Sequence, residues 1–159
     1  MNSLKNMLII GSTVLLLDIS SLSLAETIYC PSPDQLENAS VSFEYEANGG
    51  RCSIVIDSIQ FELFANGAYP FDSEENCEEA LKSTTFSRAY VNNSQSVTCQ
   101  YDVSDNLLNP TLENFTASFP NGYEPEIDNK GSWTLVDTPY ANCQSADVTV
   151  CPIVEKNAV

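Results

Sequence analysis

Six cysteines constrain this chain of 159 residues more than any other feature. They lie at Cys30, Cys52, Cys77, Cys99, Cys143 and Cys151. An even count behind an export signal is typical of a disulfide framework, although spacing alone does not choose among the possible pairings. A metal site is the alternative, but the chain has no Cys-x-x-Cys pair and no histidine, and structural zinc sites favour closely spaced ligands. We therefore expect disulfides, with no metal and no cofactor.

Residues 1–25 have the pattern of a secretory signal peptide, with a positive charge near the start and an apolar run from Met7 to Leu17. Ser23-Leu24-Ala25 then places small residues where a signal peptidase cleaves. The run of 11 residues is too short for a membrane anchor, which needs roughly 20. We expect cleavage between Ala25 and Glu26. Residues 26–159 would then be a single β-rich domain, periplasmic or secreted and without a membrane segment.

The chain is strongly acidic, with 22 acidic against 6 basic residues and a net charge of −16. Removing residues 1–25 leaves this net charge unchanged, because one acid and one base depart together. Nucleic acid is disfavoured as a partner, since binding it requires a basic surface. A high net charge keeps an exported protein soluble. The alternative is that the negative field steers a cationic partner toward the protein.

The segment from Ser96 to Val103 is the clearest strand. Its odd positions are apolar (Val97, Cys99, Tyr101 and Val103), and its even positions are all polar. This period of two predicts a strand with one buried face and one polar face. Because Cys99 lies on the apolar face, we expect the strand to be tied covalently to another part of the chain.

Similar patterns predict further short strands near residues 41–45, 52–63, 84–91, 115–119, 131–136 and 148–150. A turn or bulge at Asp57-Ser58 explains a switch of the apolar face. The expected core comprises Val41, Phe43, Tyr45, Ile54, Ile56, Phe61, Leu63, Phe86, Val97, Phe115, Phe119, Trp133, Leu135 and Val148. Short strands separated by turn signals favour a mainly β fold, either a disulfide-stabilised β-sandwich or a small barrel.

One short helix is expected over residues 71–83. Asp72 is the predicted N-cap, with Glu75 three residues later in a capping-box arrangement. Cys77 and Leu81 would share one face of this helix. The proline-rich lead-in before it is irregular, with at most one helical turn after Pro33.

Five short motifs are spread over residues 26–159: Tyr29-Cys30-Pro31-Ser32-Pro33, Phe86-Ser-Arg-Ala89, Val97-Thr-Cys99-Gln-Tyr101, Gly131-Ser-Trp133, and Cys143 with Cys151-Pro152-Ile153. In these motifs the chain resembles the domain of unknown function family 3757, a family of small secreted bacterial proteins. The family commonly ends with Cys-Pro-Phe, where this chain has Ile153. The segment between Pro33 and Phe86 is longer and more acidic than in the family, and it carries two further cysteines.

The resemblance implies a pairing of the cysteines. Cys52 and Cys77, which the family lacks, would form an added bridge between the helix and the second strand. The shared cysteines would pair as Cys30 with Cys99 and Cys143 with Cys151. The resemblance also implies an exported protein, but it supplies no activity.

The absence of histidine removes Ser-His-Asp and Cys-His catalysis and the commonest zinc and copper ligands. Carboxylate chemistry remains open, since glycosidases need only two carboxylates. The segment Glu124–Asn129 has acids at alternate positions, as a calcium loop would, but it lacks the pattern of an EF-hand. Asp102, Asp105 and Asn106 form a second weak cluster. We interpret both groups as solvated loop acids.

These observations favour an exported, acidic binding protein that is not an enzyme and has a basic protein as its partner. The alternative is a carbohydrate-binding or carbohydrate-cleaving domain. It would use a carboxylate pair and four tyrosines predicted near turns, Tyr69, Tyr90, Tyr123 and Tyr140. The sequence leaves the oligomeric state open.

Expression of the full chain in an exporting bacterium should yield a protein that begins at Glu26. Intact-mass spectrometry of the purified protein checks this. Ala25→Tyr should block cleavage at this bond, because the peptidase requires a small residue there. An unchanged N-terminus in A25Y, or wild-type protein that retains residues 1–25, would contradict the assignment.

Overall fold

The structure is a computed structural model that describes residues 26–46, 49–66, 71–104, 112–127, 132–137 and 140–156. The predicted signal segment, including Ala25, lies outside the described residues. The strands are β1 (Thr27–Ile28), β2 (Val41–Glu46), β3 (Gly49–Ile56), β4 (Ile59–Asn66), β5 (Thr84–Val91), β6 (Val97–Val103), β7 (Asn114–Ser118), β8 (Tyr123–Pro125), β9 (Trp133–Asp137), β10 (Tyr140–Gln144) and β11 (Ile153–Glu155). The helices are α1 (Pro33–Glu37), α2 (Glu74–Lys82) and a 3-10 helix (Val148–Val150).

The strands form two antiparallel sheets. The larger sheet has the order β2-β3-β4-β7-β6-β5-β10-β9, and the smaller one has the order β1-β11-β8. The mainly β, disulfide-stabilised class is therefore confirmed. In the described part of the chain β2 and β9 end the larger sheet without pairing to each other, so the sheet is open and the small-barrel alternative is wrong. The helical turn expected after Pro33 forms as the five-residue helix α1, in addition to α2.

Strand β6 lies inside the larger sheet, between β5 and β7. Val97, Cys99 and Tyr101 are buried as predicted. Thr98, which was expected on a polar face, is also buried, with 2% of its surface exposed. Its hydroxyl oxygen lies 3.1 Å from that of Ser118 and accepts a hydrogen bond of 3.2 Å from Asn92 Nδ2. A short hydroxyl side chain is buried at little cost where neighbouring polar groups satisfy it.

Three disulfides connect the layers, and they are the pairs that the family resemblance implied. Cys30–Cys99 links the segment before α1 to β6, with Cα atoms 5.8 Å apart. Cys52–Cys77 links β3 to α2. Cys143–Cys151 closes a short loop that contains the 3-10 helix. All six cysteines are buried, so the bridges lie within the hydrophobic core.

Side chains at the helix starts explain where α1 and α2 begin. Ser32 caps α1 in a capping box with Gln35, and Pro33 occupies the first turn, where its missing N–H is not needed. Helix α2 was expected over residues 71–83 and begins at Glu74, with its N-cap one residue later than predicted. Ser73, rather than Asp72, is the N-cap and accepts a hydrogen bond of 3.1 Å from the Asn76 backbone N–H. A serine hydroxyl and an aspartate carboxylate cap about equally well, so the sequence did not distinguish the two.

Asp57 and Ser58 form the turn of the β3–β4 hairpin. Of the predicted turn or bulge at this position, the turn is therefore the one that forms. Both residues have positive φ, 51° and 67°. Two consecutive residues in this region form the turn that matches the twist of paired strands. The hairpin therefore changes which alternate positions face the core, and Ile59 faces Ile56 across it.

Two expectations about the core and one about a strand are wrong, whereas Val148 packs against the core as expected. Tyr45 and Leu135 are exposed, at 81% and 54%, because they lie on β2 and β9, the two outermost strands of the larger sheet. Val148 and Val150 lie in the 3-10 helix instead of a strand. Asp147 caps this helix through a hydrogen bond from the Thr149 N–H, and such local bonds compete with strand pairing.

Removal of each disulfide should lower the free energy of unfolding in the order of the loop that it closes. The loops span 69, 25 and 8 residues for Cys30–Cys99, Cys52–Cys77 and Cys143–Cys151. Constraint of the unfolded chain predicts losses of about 4.4, 3.5 and 2.5 kcal/mol respectively. Urea unfolding of the three paired Cys→Ala variants measures these losses. A larger loss for the 8-residue loop than for the 69-residue loop would contradict this account.

Candidate binding cleft

A cleft of about 760 Å³ opens beside the smaller sheet. One wall is the N-terminal arm, defined here as residues 26–32, which includes β1. The rest of the lining comes from the end of the β3–β4 hairpin around Asp57, the 3-10 helix at Val148 and Thr149, and Glu155 at the end of β11, the strand paired with β1. The volume lies within the range of small-molecule and side-chain pockets.

Two interactions hold the arm against β6. Cys30 is bonded to Cys99, and the Tyr101 hydroxyl donates a buried hydrogen bond of 2.7 Å to the Pro31 carbonyl. Tyr101 is fully buried and stacks on Phe115, with ring centroids 5.2 Å apart. Because Cys99 and Tyr101 are two residues apart on one strand, both reach the same face and fix adjacent residues of the arm.

Gln35 joins the arm to the hairpin. Its side-chain oxygen accepts a hydrogen bond of 2.9 Å from the Ser32 N–H, and its Nε2 donates to Asp57 Oδ2 at 3.2 Å. The arm is fixed at its other end where Thr27 Oγ1 donates to Glu126 Oε2 at 3.1 Å. These contacts define the distance between the two walls near Asp57.

Three exposed carboxylates line the cleft: Glu26, Asp57 and Glu155. None of the lining residues in the described part of the chain is Lys or Arg. Lys156 follows Glu155 but forms an ion pair with Glu124, with Nζ and Oε2 3.7 Å apart. The side chains of the cleft therefore carry a net negative charge, which exceeds the single positive α-amino group expected at Glu26 after cleavage, and the cleft would attract a cation.

The floor of the cleft is apolar. Ile28, Ile56, Ile59 and Tyr123 are half-buried, and Phe61 beneath them is buried. Phe61 packs edge-to-face on Phe119, with ring centroids 4.7 Å apart. The site thus combines a rim of carboxylates with an apolar floor, and this combination suits a ligand with an aliphatic stem and a cationic end.

Thr149 is positioned in the cleft by Asp147. Asp147 Oδ1 accepts hydrogen bonds from the Thr149 N–H at 2.9 Å and from its hydroxyl at 2.7 Å. These bonds lower the pKa of the Asp147 carboxyl, because they favour its charged form. Since Cys143–Cys151 closes the loop around these residues, this wall is held by a disulfide as the arm is.

The tyrosines predicted near turns do not form one surface. Tyr90 lies within β5, where the Arg88 guanidinium carbon sits 5.2 Å from its ring centroid. Tyr140 begins β10, and Tyr123 begins β8 and lines the cleft. Tyr69 lies outside the described residues. Tyr29, which was not among the four, lines the cleft and is 40% exposed.

The suggested calcium segments are not assembled into a site in the described residues, where no group of three or more potential ligands occurs. Glu124 pairs with Lys156, and Glu126 accepts a hydrogen bond from Thr27. Asp102 is exposed on β6. Asp105, Asn106, Asp128 and Asn129 lie outside the described residues. No helix in the described part of the chain has the length and apolar character needed to span a bilayer.

Sequence reasoning missed the cleft because its carboxylates are far apart in the chain. The sequence predicted Glu26 only as the residue after the cleavage point, and Asp57 only as part of a turn or bulge. Glu155 belongs to a strand that was not predicted. The one local signal was Asp57 itself, since a turn residue between two apolar strands projects from the end of a hairpin.

Protein-family models, curated proteins and solved structures were each compared with the chain, and none of the three comparisons gave a match. The resemblance to family 3757 therefore stays a prediction, and the function must be inferred from the cleft itself.

Substitution of Tyr101 by Phe should cost about 1–3 kcal/mol of unfolding free energy near neutral pH, because the buried Pro31 carbonyl loses its donor. Burial raises the pKa of the Tyr101 phenol well above its ordinary value of 10.0. A raised pKa in the folded state means that the contribution of Tyr101 is intact below about pH 10 and is lost as the pH rises above it.

Y101F should consequently lose less stability than the wild type between about pH 9 and pH 11. Urea unfolding across this interval measures the difference. Tyr140→Phe is the matched control, since Tyr140 is 40% exposed and should behave as the wild type. If the free energy of unfolding fell equally in Y101F and the wild type over this pH interval, ionisation of Tyr101 would not be coupled to folding.

Proposed function

We propose that the protein is an exported, acidic and non-catalytic binding protein that takes a cationic segment of a basic protein into the cleft. The observation that carries the proposal is the lining of the cleft, with three carboxylates, no Lys or Arg among its described residues, and an apolar floor. A lysine or arginine stem packs on apolar surface while its charged end reaches carboxylates at the rim.

The net charge of the whole chain supports the same partner. At −16 the protein produces a negative field that accelerates association with a positively charged molecule and disfavours acidic ones. All four basic residues in the described part of the chain have a polar partner: Arg51 with Glu62, Lys82 with Glu79, Arg88 with Gln100, and Lys156 with Glu124. None of the four lines the cleft, so no basic side chain among the described residues offsets the negative field there.

The disulfides indicate the kind of compartment in which the protein is stable, but not which compartment it is. Three disulfides indicate a non-reducing environment outside the cytoplasm. Our proposal places the protein in the periplasm or outside the cell, where a basic surface on an envelope or host protein is accessible.

A carbohydrate ligand is the second candidate. Tyr29 and Tyr123 line the same cleft as the three carboxylates. Aromatic rings and carboxylates often occur together in sites that bind sugars. Salt distinguishes the two candidates. Binding through charge weakens as ionic strength rises, whereas stacking of a neutral sugar on tyrosine does not.

The test uses the oxidised exported protein and a blocked oligolysine peptide, titrated by calorimetry at low and high salt. The variant E26Q/D57N/E155Q removes the three cleft carboxylates. Its affinity should fall by about tenfold at low salt, as the loss of three exposed ion pairs predicts. Asparagine tolerates the positive φ of residue 57, so the hairpin turn is retained.

The matched control is E37Q/E78Q/E113Q, which removes the same charge from three exposed positions outside the cleft. Its affinity should change by less than about threefold. Equal losses in both variants would mean that only net charge matters and that the cleft is not the site. Absence of peptide binding, together with salt-independent binding of a neutral oligosaccharide, would favour the second candidate.

A further inference from the structure

We propose that the cleft binds its partner as an added β-strand, with an extended basic segment hydrogen-bonded to the outer edge of β1. This inference rests on the proposed function, since it names how the cationic partner is held. It goes beyond charge attraction, because backbone pairing requires an extended peptide rather than any small cation.

Strand β1 is paired on one side only in the described residues. The smaller sheet has the order β1-β11-β8, and Thr27 and Ile28 face Val154 and Ile153 of β11. In an antiparallel pair, consecutive residues direct their N–H and C=O groups alternately toward the partner and away from it. One of the two β1 residues therefore directs both groups to the outer edge.

The cleft is lined by the arm that carries this edge, and also by Tyr123 of β8 and Glu155 of β11 on the paired side of β1. Consecutive residues of the arm, from Glu26 to Ser32, all line it. Successive side chains of an extended segment point to opposite faces, so a cleft that met only one face would be lined by every second residue. Contact with consecutive residues is what a cleft that reaches around the edge of β1 would show, and the hairpin residues Ile56, Asp57 and Ile59 of the larger sheet line it as well.

The other sheet edges are less suited to a basic strand. Strand β8, at the opposite edge of the smaller sheet, contains Pro125, which cannot donate a backbone hydrogen bond. Neither outermost strand of the larger sheet, β2 or β9, contributes a described residue to the cleft. Strand β9 exposes Leu135 and Val136, so its exposed surface is more apolar than the rim of the cleft.

Charge complementarity selects the occupant of β1. Glu26 directly precedes the strand, and Asp57 and Glu155 line the same cleft. Basic side chains on a strand in this cleft would meet carboxylates, while alternate apolar side chains could reach Ile56 and Ile59 on the floor. A second copy of this chain is disfavoured, because each molecule carries a net charge of −16.

Backbone N-methylation of a peptide tests the proposal without altering the protein. The probe is a blocked peptide with the sequence Lys-Val-Lys-Val-Lys, and its two analogues are methylated on alternate amides, either at the lysines or at the valines. The charge is the same in all three. Only one edge of an added strand pairs with β1, so one analogue should bind within about threefold of the parent and the other at least about tenfold more weakly.

The bound position is read from amide chemical shifts of the labelled protein, which should change at Thr27, Ile28 and Tyr29. Equal affinities for both analogues, or shift changes at β9 instead, would overturn strand addition at β1. The proposed function would survive that result if E26Q/D57N/E155Q still weakened binding. Failure of every basic peptide to bind at low salt would instead remove the proposed function itself.

Discussion

The attachment of the N-terminal arm to β6 is the interaction on which the rest of the molecule depends. The arm crosses the core where Cys30 meets Cys99 and where the Pro31 carbonyl meets the Tyr101 hydroxyl. Together with the pairing of β1 to β11 and the Thr27–Glu126 hydrogen bond, these contacts keep β1 in the three-stranded smaller sheet. A covalent bond and a buried hydrogen bond at neighbouring residues restrict both the position and the direction of the chain, which neither achieves alone.

The alternation of apolar and polar residues along single strands could be predicted from the sequence. The position of each strand in its sheet, and therefore the burial of its side chains, could not. Alternation along β6 correctly placed Cys99 and Tyr101 in the core, because side-chain direction is a local property of an extended backbone. The exposure of Tyr45 and Leu135 depends on the order of strands in the sheet, which long-range pairing determines. The burial of Thr98 likewise required knowledge of its cross-strand partner. The 3-10 helix at Val148–Val150 formed because an aspartate cap competed with an apolar alternation.

The cleft was beyond sequence reasoning for a different physical reason. Its carboxylates come from the two ends of the domain and from one hairpin, so no window of sequence contains more than one of them. Their proximity results from the antiparallel pairing of β1 with β11 and from the link between Gln35 and Asp57. The net charge of the chain follows directly from its composition. The positions at which acidic side chains lack a basic neighbour depend on the fold. That distinction separates an acidic surface from an acidic site.

Both walls of the cleft are held by disulfides, the arm through Cys30–Cys99 and the 3-10 helix through Cys143–Cys151. The geometry of the cleft therefore depends on the redox state of four thiols, since reduction of both bridges would remove a covalent tether from each wall. The same covalent bonds that stabilise the fold thus make the cleft a feature of the oxidised protein, which is the form expected in a non-reducing environment.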